Sequence, residues 1–369
     1  MAAEPIQSPA TLFLGAGASA AFGFPTTREF LENLEVRLEG REKEFIQALM
    51  QTEGISDIEH VLEILDQVVE LENPFLRYLE HRRVQIPTAL GRPPMDWADF
   101  KKLAVSLRTT IRNELFSTYE FDPKKRLAIR RTIEDILNAI CGEKSNIIHV
   151  FTTNYDSVIE EGLSDSQRYI YTDGFDYSRR GQPAVWSRRK FDELPPTTIR
   201  LHGAKMTKEA IQQRSVRLYK LHGSLQWRAD KELSRVVRVE TEERAGNHSR
   251  RFGENILLYP ASKRPPIAEP FGTLYSYFVR KLSSANVCVV VGFSFRDPYI
   301  NTVFVDYLRN NPKNHIYIVS PSADECLKNL LGPLRMGIFS NQVVIFPNKY
   351  GDPHTTSLIS ARMKKVNLA

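Results

Sequence analysis

Apolar residues fall into two spacings along this chain. Short, mostly apolar runs bounded by turn residues predict buried strands at 10–14, Asn146–Phe151, Val216–Tyr219, Ile256–Tyr259, Val287–Val291, His315–Val319 and Val343–Phe346. Apolar residues three and four apart predict helices over Thr26–Leu38, Leu103–Leu115, Ile129–Ile140, Phe271–Leu282, Pro298–Arg309 and Ala323–Leu330, and another starts at Ser157–Gly162. Ile58, Val61, Leu62, Leu65, Val68 and Val69 trace one face of a further helix, with Ser56 as its expected N-cap and Glu59 completing a capping box. Thr26 or Thr27 caps the first helix, with Glu29 in its first turn. Pro87–Met95 carries three prolines and reads as a loop. Strands alternating with helices predict an α/β fold, a Rossmann-like parallel sheet with helices on both faces.

The whole chain, 1–369, reads as a single domain with two insertions. Residues 42–142 turn helical and read as a helical insertion, a candidate lid or assembly surface. Residues 163–255 are irregular, aromatic and basic, and read as a second insertion. There is no internal repeat.

Composition adds boundaries to this picture. Hydrophobic content of 42% and charged content of 25% suit a globular protein in water. No apolar run reaches the roughly 20 residues of a membrane helix. MAAEPIQSPA has neither a basic n-region nor an apolar h-region, so no secretion signal and a cytoplasmic setting are expected. Cys141, Cys288 and Cys326 are odd in number and far apart, which argues against a disulfide framework and a four-cysteine zinc site; no metal is expected. Cys288 sits in an apolar strand and reads as core. The net charge of +6 is concentrated in Pro123–Arg131, Arg179–Lys190 and Arg214–Arg251. Such runs could meet nucleic acid, an anionic nucleotide or an acidic partner, but aromatics are sparse among them and solvated loops are the plainer reading.

The candidate chemistry gathers at strand ends. Leu12–Leu14 runs into Gly15-Ala16-Gly17-Ala18-Ser19, and a helical pattern follows. Strand, glycine turn and helix together can present backbone N–H groups to a phosphate, with Gly15 for the sharp turn and Gly17 for close approach. Gly15, Gly17 and Ala20 fit the G-x-G-x-x-G/A dinucleotide pattern. Three other predicted strands end in TTNYD (152–156), GFSFRD (292–297) and Val319-Ser320, and KLHGS (220–224) follows Val216–Tyr219. In open α/β sheets ligands bind at such carboxyl ends. Taken singly, each piece has a plainer reading: Asn154 a cap for the helix at 157, His222 a core histidine, Gly292 a turn, Asp297 a cap for the helix at 298.

In this order the motifs resemble those of sirtuins. GAGAS followed by Gly23-Phe24-Pro25 has the spacing of the sirtuin first motif. Thr152–Asp156 resembles the T-x-N-x-D motif, Leu221-His222-Gly223 the histidine-glycine motif, and Gly292–Ser294 the later G-x-S motif. The chain departs from the deacylating sirtuins in lacking four zinc cysteines. It also has Thr26-Thr27-Arg28 where those enzymes have Asp-Phe-Arg. Its wording is closer to the bacterial sirtuin-like NAD hydrolases of antiphage systems, and its length resembles the sirtuin-like subunit that assembles with a HerA-type ATPase.

The resemblance implies NAD as substrate, cleaved to nicotinamide and ADP-ribose, with Asn154 and His222 catalytic. It implies that Gly15, Ala16, Gly17 and Ser19 hold the diphosphate. Arg28, Asp156, Gly292, Phe293 and Ser294 shape the nicotinamide and ribose ends, and Thr26, Thr153 and Ser320 complete the binding set. It further implies a homo-oligomer, with 42–142 as the candidate interface. The same fold carries two alternatives: a protein deacylase or ADP-ribosyltransferase, and a non-catalytic NAD-sensing subunit. A second Leu-His-Gly occurs at 201–203; His222 is favoured over His202 because KLHGS followed by Trp227 matches the family better.

Overall fold

The structure, a computed structural model, describes residues 9–51, 55, 57–70, 95–141, 145–178, 182–193, 198–202, 207–211, 213–232, 234–239, 251–259 and 268–368. Ser56 and all of the expected 87–95 loop except Met95 lie outside the described residues. The chain divides into two compact units. One comprises Met1–Gly23, Phe121–Leu258 and Lys263–Ala369; the other comprises Phe24–Glu120 with Tyr259–Ser262.

The strands are β1 (Ala10–Leu14), β2 (Ile147–Thr152), β3 (Tyr169–Thr172), β4 (Phe175–Asp176), β5 (Ala184–Trp186), β6 (Thr198–His202), β7 (Thr207–Ile211), β8 (Arg214–Lys220), β9 (Gly223–Asp230), β10 (Arg235–Arg238), β11 (Phe252–Leu257), β12 (Val287–Val291), β13 (His315–Val319) and β14 (Val343–Phe346). The α-helices are α1 (Ala16–Ala20), α2 (Thr27–Arg37), α3 (Gly40–Met50), α4 (Ile58–Glu70), α5 (Trp97–Thr118), α6 (Arg126–Ile140), α7 (Val158–Leu163), α8 (Phe271–Ser283), α9 (Pro298–Asn310), α10 (Ala323–Phe339) and α11 (Pro353–Leu368).

In the first unit a seven-stranded sheet runs in the order β14-β13-β12-β1-β2-β8-β3. Every neighbouring pair in it is parallel. After β1 the chain builds outward through β2 on one side, then returns to β12 on the other. The topological switch point therefore falls between β1 and β12, where open α/β sheets form their ligand crevice. β1, β2 and β12 are buried along their whole lengths, as parallel strands covered by helices on both faces must be. On one face Phe13 packs edge-on against Phe304 of α9 at 5.2 Å and tilts onto Phe278 of α8 at 5.5 Å. α6 packs on β1, and α11 on α6. The expected fold class is the observed one.

Two stretches were expected to be insertions. Residues 163–255, expected to hold short strands, supply β3 and β8 to the main sheet and most of an antiparallel sheet ordered β11-β9-β10-β5-β4. The strands β3, β4 and β5 are only two to four residues long, too short for an alternation to show. The helical stretch 42–142 divides between the units: α3, α4 and α5 fall in the second and α6 in the first.

In the second unit Thr26 caps α2 through a complete capping box, its hydroxyl accepting from the Glu29 amide and its amide donating to Glu29 Oε2. At α4 the first-turn amides of Glu59 and His60 go to Asp57 Oδ1, at 3.1 and 3.3 Å. The α4 face Val61, Leu62 and Leu65 is buried, as its spacing requires.

Candidate functional site

The GAGAS turn meets the end of β12 at very close range. A Cβ on Gly15 would lie 2.6 Å from Phe293 Cα and 2.7 Å from Gly292 O. Gly292 adopts φ +62°, and a Cβ there would collide with the Gly17–Ala18 backbone. Only glycine fits where two backbones touch this way. The Gly15 amide donates to Val291 O and the Gly17 amide to Gly292 O, both at 2.9 Å, and the Ala18 amide donates to Gly15 O. These three amides are committed inside the protein. Gly15 has φ −107°, so close contact rather than a left-handed turn calls for glycine there.

Behind this contact lies a chain of buried polar groups from β2. The Ser19 hydroxyl donates to Asp156 Oδ2 at 2.6 Å. Asn154 Nδ2 donates to Gly15 O at 3.0 Å and to Ser19 Oγ at 2.9 Å. Since a carbonyl only accepts and the Ser19 proton already goes to Asp156, both neighbours demand a donor from Asn154. The orientation of the carboxamide is thereby fixed. Its Oδ1 is buried and has no hydrogen-bond partner among the described residues. A buried acceptor left unmade costs about 1–3 kcal/mol.

Asp156 is itself held on several sides. Oδ1 accepts the Val158 amide at the start of α7 at 3.0 Å. Lys220 Nζ, 1% exposed, donates to the Asp156 carbonyl and pairs with Glu160 Oε1 at 3.0 Å. Burial pushes the Asp156 carboxyl above its ordinary value, and the Lys220 charge, the Ser19 hydroxyl and the Val158 amide partly offset that. The pairing of Lys220 with Glu160 was not anticipated, although Lys220 opens the KLHGS motif.

His222 stands in the turn from β8 to β9, which the Leu221 amide ties to Thr152 O at 2.8 Å. Its Nε2 lies 3.2 Å from Asp297 Oδ2, with both side chains nearly fully buried. Asp297 Oδ1 accepts the amides of Tyr299 (2.8 Å) and Ile300 (2.9 Å), capping α9 as expected. The His222 carbonyl accepts from Leu258 N, and the Tyr155 ring centroid is 6.3 Å from the imidazole.

The structure thus joins Gly15, Ser19, Asn154 and Asp156 by hydrogen bonds and sets Gly292 and Phe293 against Gly15. Ala16 opens α1. The Thr153 amide donates to Leu14 O at 3.2 Å. Phe293 turns its ring into the core onto Phe13 at 4.9 Å. Ser294 is exposed, its carbonyl taken by Asn329 Nδ2. Ser320 is buried at the end of β13, its hydroxyl 3.2 Å from that of Ser322. Thr26 and Arg28 belong to the second unit, where Thr26 caps α2 and Arg28 pairs with Glu32. His202 closes β6 in a separate two-stranded ladder, opposite Thr207.

Among the described residues no group of three or more His, Cys, Asp or Glu is placed to hold a metal ion, and no helix is long and apolar enough to cross a membrane. Cys288 is fully buried and burial pushes its thiol up to about 12.

Fold and site define a doubly wound α/β protein with buried polar groups gathered at the strand ends beside its switch point. The chain belongs to the SIR2-like domain family, whose model matches residues 148–332. Among solved structures it is similar to a Sir2 homologue in complex with NAD, at 11% identity over 96% of this chain and 89% of the other, TM-score 0.44. A Sir2 homologue mutant bound to 2′-O-acetyl ADP-ribose shows 14% identity over 97% and 93%, TM-score 0.43. A Sir2–p53 peptide–NAD+ complex shows 10% identity over 98% and 94%, TM-score 0.41. No curated protein sequence matches.

Proposed function

We propose that this chain binds NAD at the strand-end cluster and hydrolyses it to nicotinamide and ADP-ribose. The observation that carries the reading is the buried, unpartnered Oδ1 of Asn154, fixed in place by Gly15 O and Ser19. An acceptor so placed suits a water or a ribose hydroxyl. In NAD the nicotinamide ring is already cationic, so the bond from ribose C1′ to the ring nitrogen breaks without a general acid. The electron pair leaves with nicotinamide, and an oxocarbenium-like centre remains, as in glycoside hydrolysis. A water held by Asn154 Oδ1 forms the new bond to C1′, and His222 takes its proton. The GAGAS turn and Gly292–Phe293 form one wall of the site, with Thr153, Ser294 and Ser320 at neighbouring strand ends.

The rest of the proposal follows the resemblance of the motifs. The protein is a cytoplasmic, NAD-depleting antiphage effector, a homo-oligomer that pairs with a HerA-type ATPase. The whole chain acts as one sirtuin-like domain, and the helical stretch within 42–142 supplies the assembly surface. Three scattered cysteines, one of them in the core of β12, favour hydrolysis over protein deacylation.

The test is incubation with NAD, with and without an acetyl-lysine peptide. ADP-ribose formed equally in both supports the hydrolase. O-acetyl-ADP-ribose formed only with peptide assigns a deacylase instead. NAD that raises the melting temperature without turnover assigns a sensing subunit.

A further inference from the structure

Asp297 spends its two carboxylate oxygens on different tasks. Oδ1 accepts two backbone amides at the start of α9, which locks the carboxylate plane. Oδ2 is thereby aimed at His222 Nε2, 3.2 Å away, and both side chains are at least 96% buried. A carboxylate oxygen only accepts, so the imidazole must present a proton to it on Nε2. A neutral ring with its proton on Nε2 keeps Nδ1 as its basic nitrogen.

We propose that Asp297 is a positioning residue: it fixes His222 in the Nε2–H tautomer, so that Nδ1 is the nitrogen that accepts a proton. The inference deepens the hydrolase reading and rests on it for the role of that proton. The cap and the orientation are separable by chemistry. In Asp297→Asn the side-chain oxygen keeps the two amides, since Asn caps helices as well as Asp. Its NH2 then faces His222, Nε2 becomes the acceptor, and the ring proton moves to Nδ1. A base with its proton on the wrong nitrogen fails although the fold is intact.

The experiment compares the full-length wild type with Asp297→Asn and Asp297→Ala. Ring 15N spectra of histidine-labelled protein at pH 8 report the tautomer of His222, assigned by loss of its signals in His222→Gln. Melting temperature reports the cap, and nicotinamide release reports kcat and KM for NAD. The expected result is Nε2–H in wild type and Nδ1–H in Asp297→Asn at an unchanged melting temperature. The expected kcat loss is about a hundredfold or more, with KM for NAD little changed. Asp297→Ala loses melting temperature as well. The proposal is overturned if His222 keeps Nε2–H in Asp297→Asn, if the wild-type ring is protonated on Nδ1 or on both nitrogens, or if an active enzyme keeps its kcat in the Asn variant. A tautomer switch in a protein that releases no nicotinamide would sink the hydrolase reading and leave the role of Asp297 standing.

Discussion

Two buried aspartates, Asp156 past the end of β2 and Asp297 past the end of β12, are built alike and used differently. Each gives one oxygen to the amides of the helix that follows and the other to a group of the candidate site. Asp156 reaches Asn154 through the Ser19 hydroxyl and has a buried Lys220–Glu160 pair behind it. Asp297 touches the imidazole directly. The contrast separates two arrangements: a neutral amide oriented through a polar network, and an imidazole held by one direct contact. The first ties function to stability; the second can be altered with the fold intact.

The comparison is most exposed at Lys220. Lys220→Met leaves the Glu160 carboxylate buried without its cation, and breaking such a pair costs about 3–5 kcal/mol. Thermal or denaturant unfolding should show that loss, against none for Asp297→Asn. Equal stability of the two variants would mean that the network behind Asp156 supports nothing.

β2 also carries a titratable residue that should make it acid-sensitive. His149 is buried, with Nδ1 3.0 Å from the Tyr219 hydroxyl. Burial first, then the Lys281 and Arg217 charges, depress its pKa to about 3. The unfolded chain, with an ordinary histidine pKa near 6.5, binds the proton first. This contribution is therefore complete above about pH 6.5 and is lost as pH falls toward 3. Between pH 6.5 and 5 the loss is on the order of 2 kcal/mol. Urea unfolding at pH 7 and pH 5 should show it in wild type and show less of it in His149→Asn. The smallest expected effect lies outside both regions. Thr26→Ala removes half of the α2 capping box and should cost about 1 kcal/mol by the same urea measurement.

What the sequence disclosed follows from how local each feature is. β1, β12 and β13 are mostly apolar runs stopped by glycine or serine, and their ends mark the switch point directly. Asp297 was legible as a cap because capping is written within three residues. Its contact with His222 spans 75 positions and leaves no local trace. Lys220–Glu160 is hidden for the same reason. The glycines of GAGAS were legible as necessary but not for their reason, since a close approach to Gly292 exists only once β1 and β12 are paired. β8 showed as Val216–Tyr219, a shorter stretch than its seven residues, because Arg214 and Ser215 before it and Lys220 after it are polar. α11 was not anticipated, its polar and apolar residues making no clear face.

The central claim is that Asn154 and His222 act on NAD at the switch point. The most direct test is chromatography of nicotinamide released from NAD by wild type, Asn154→Ala, His222→Ala and His202→Ala. The account predicts release by wild type and His202→Ala, and a loss of about a hundredfold or more in the other two. Undiminished release by Asn154→Ala or His222→Ala, or a loss confined to His202→Ala, would contradict it.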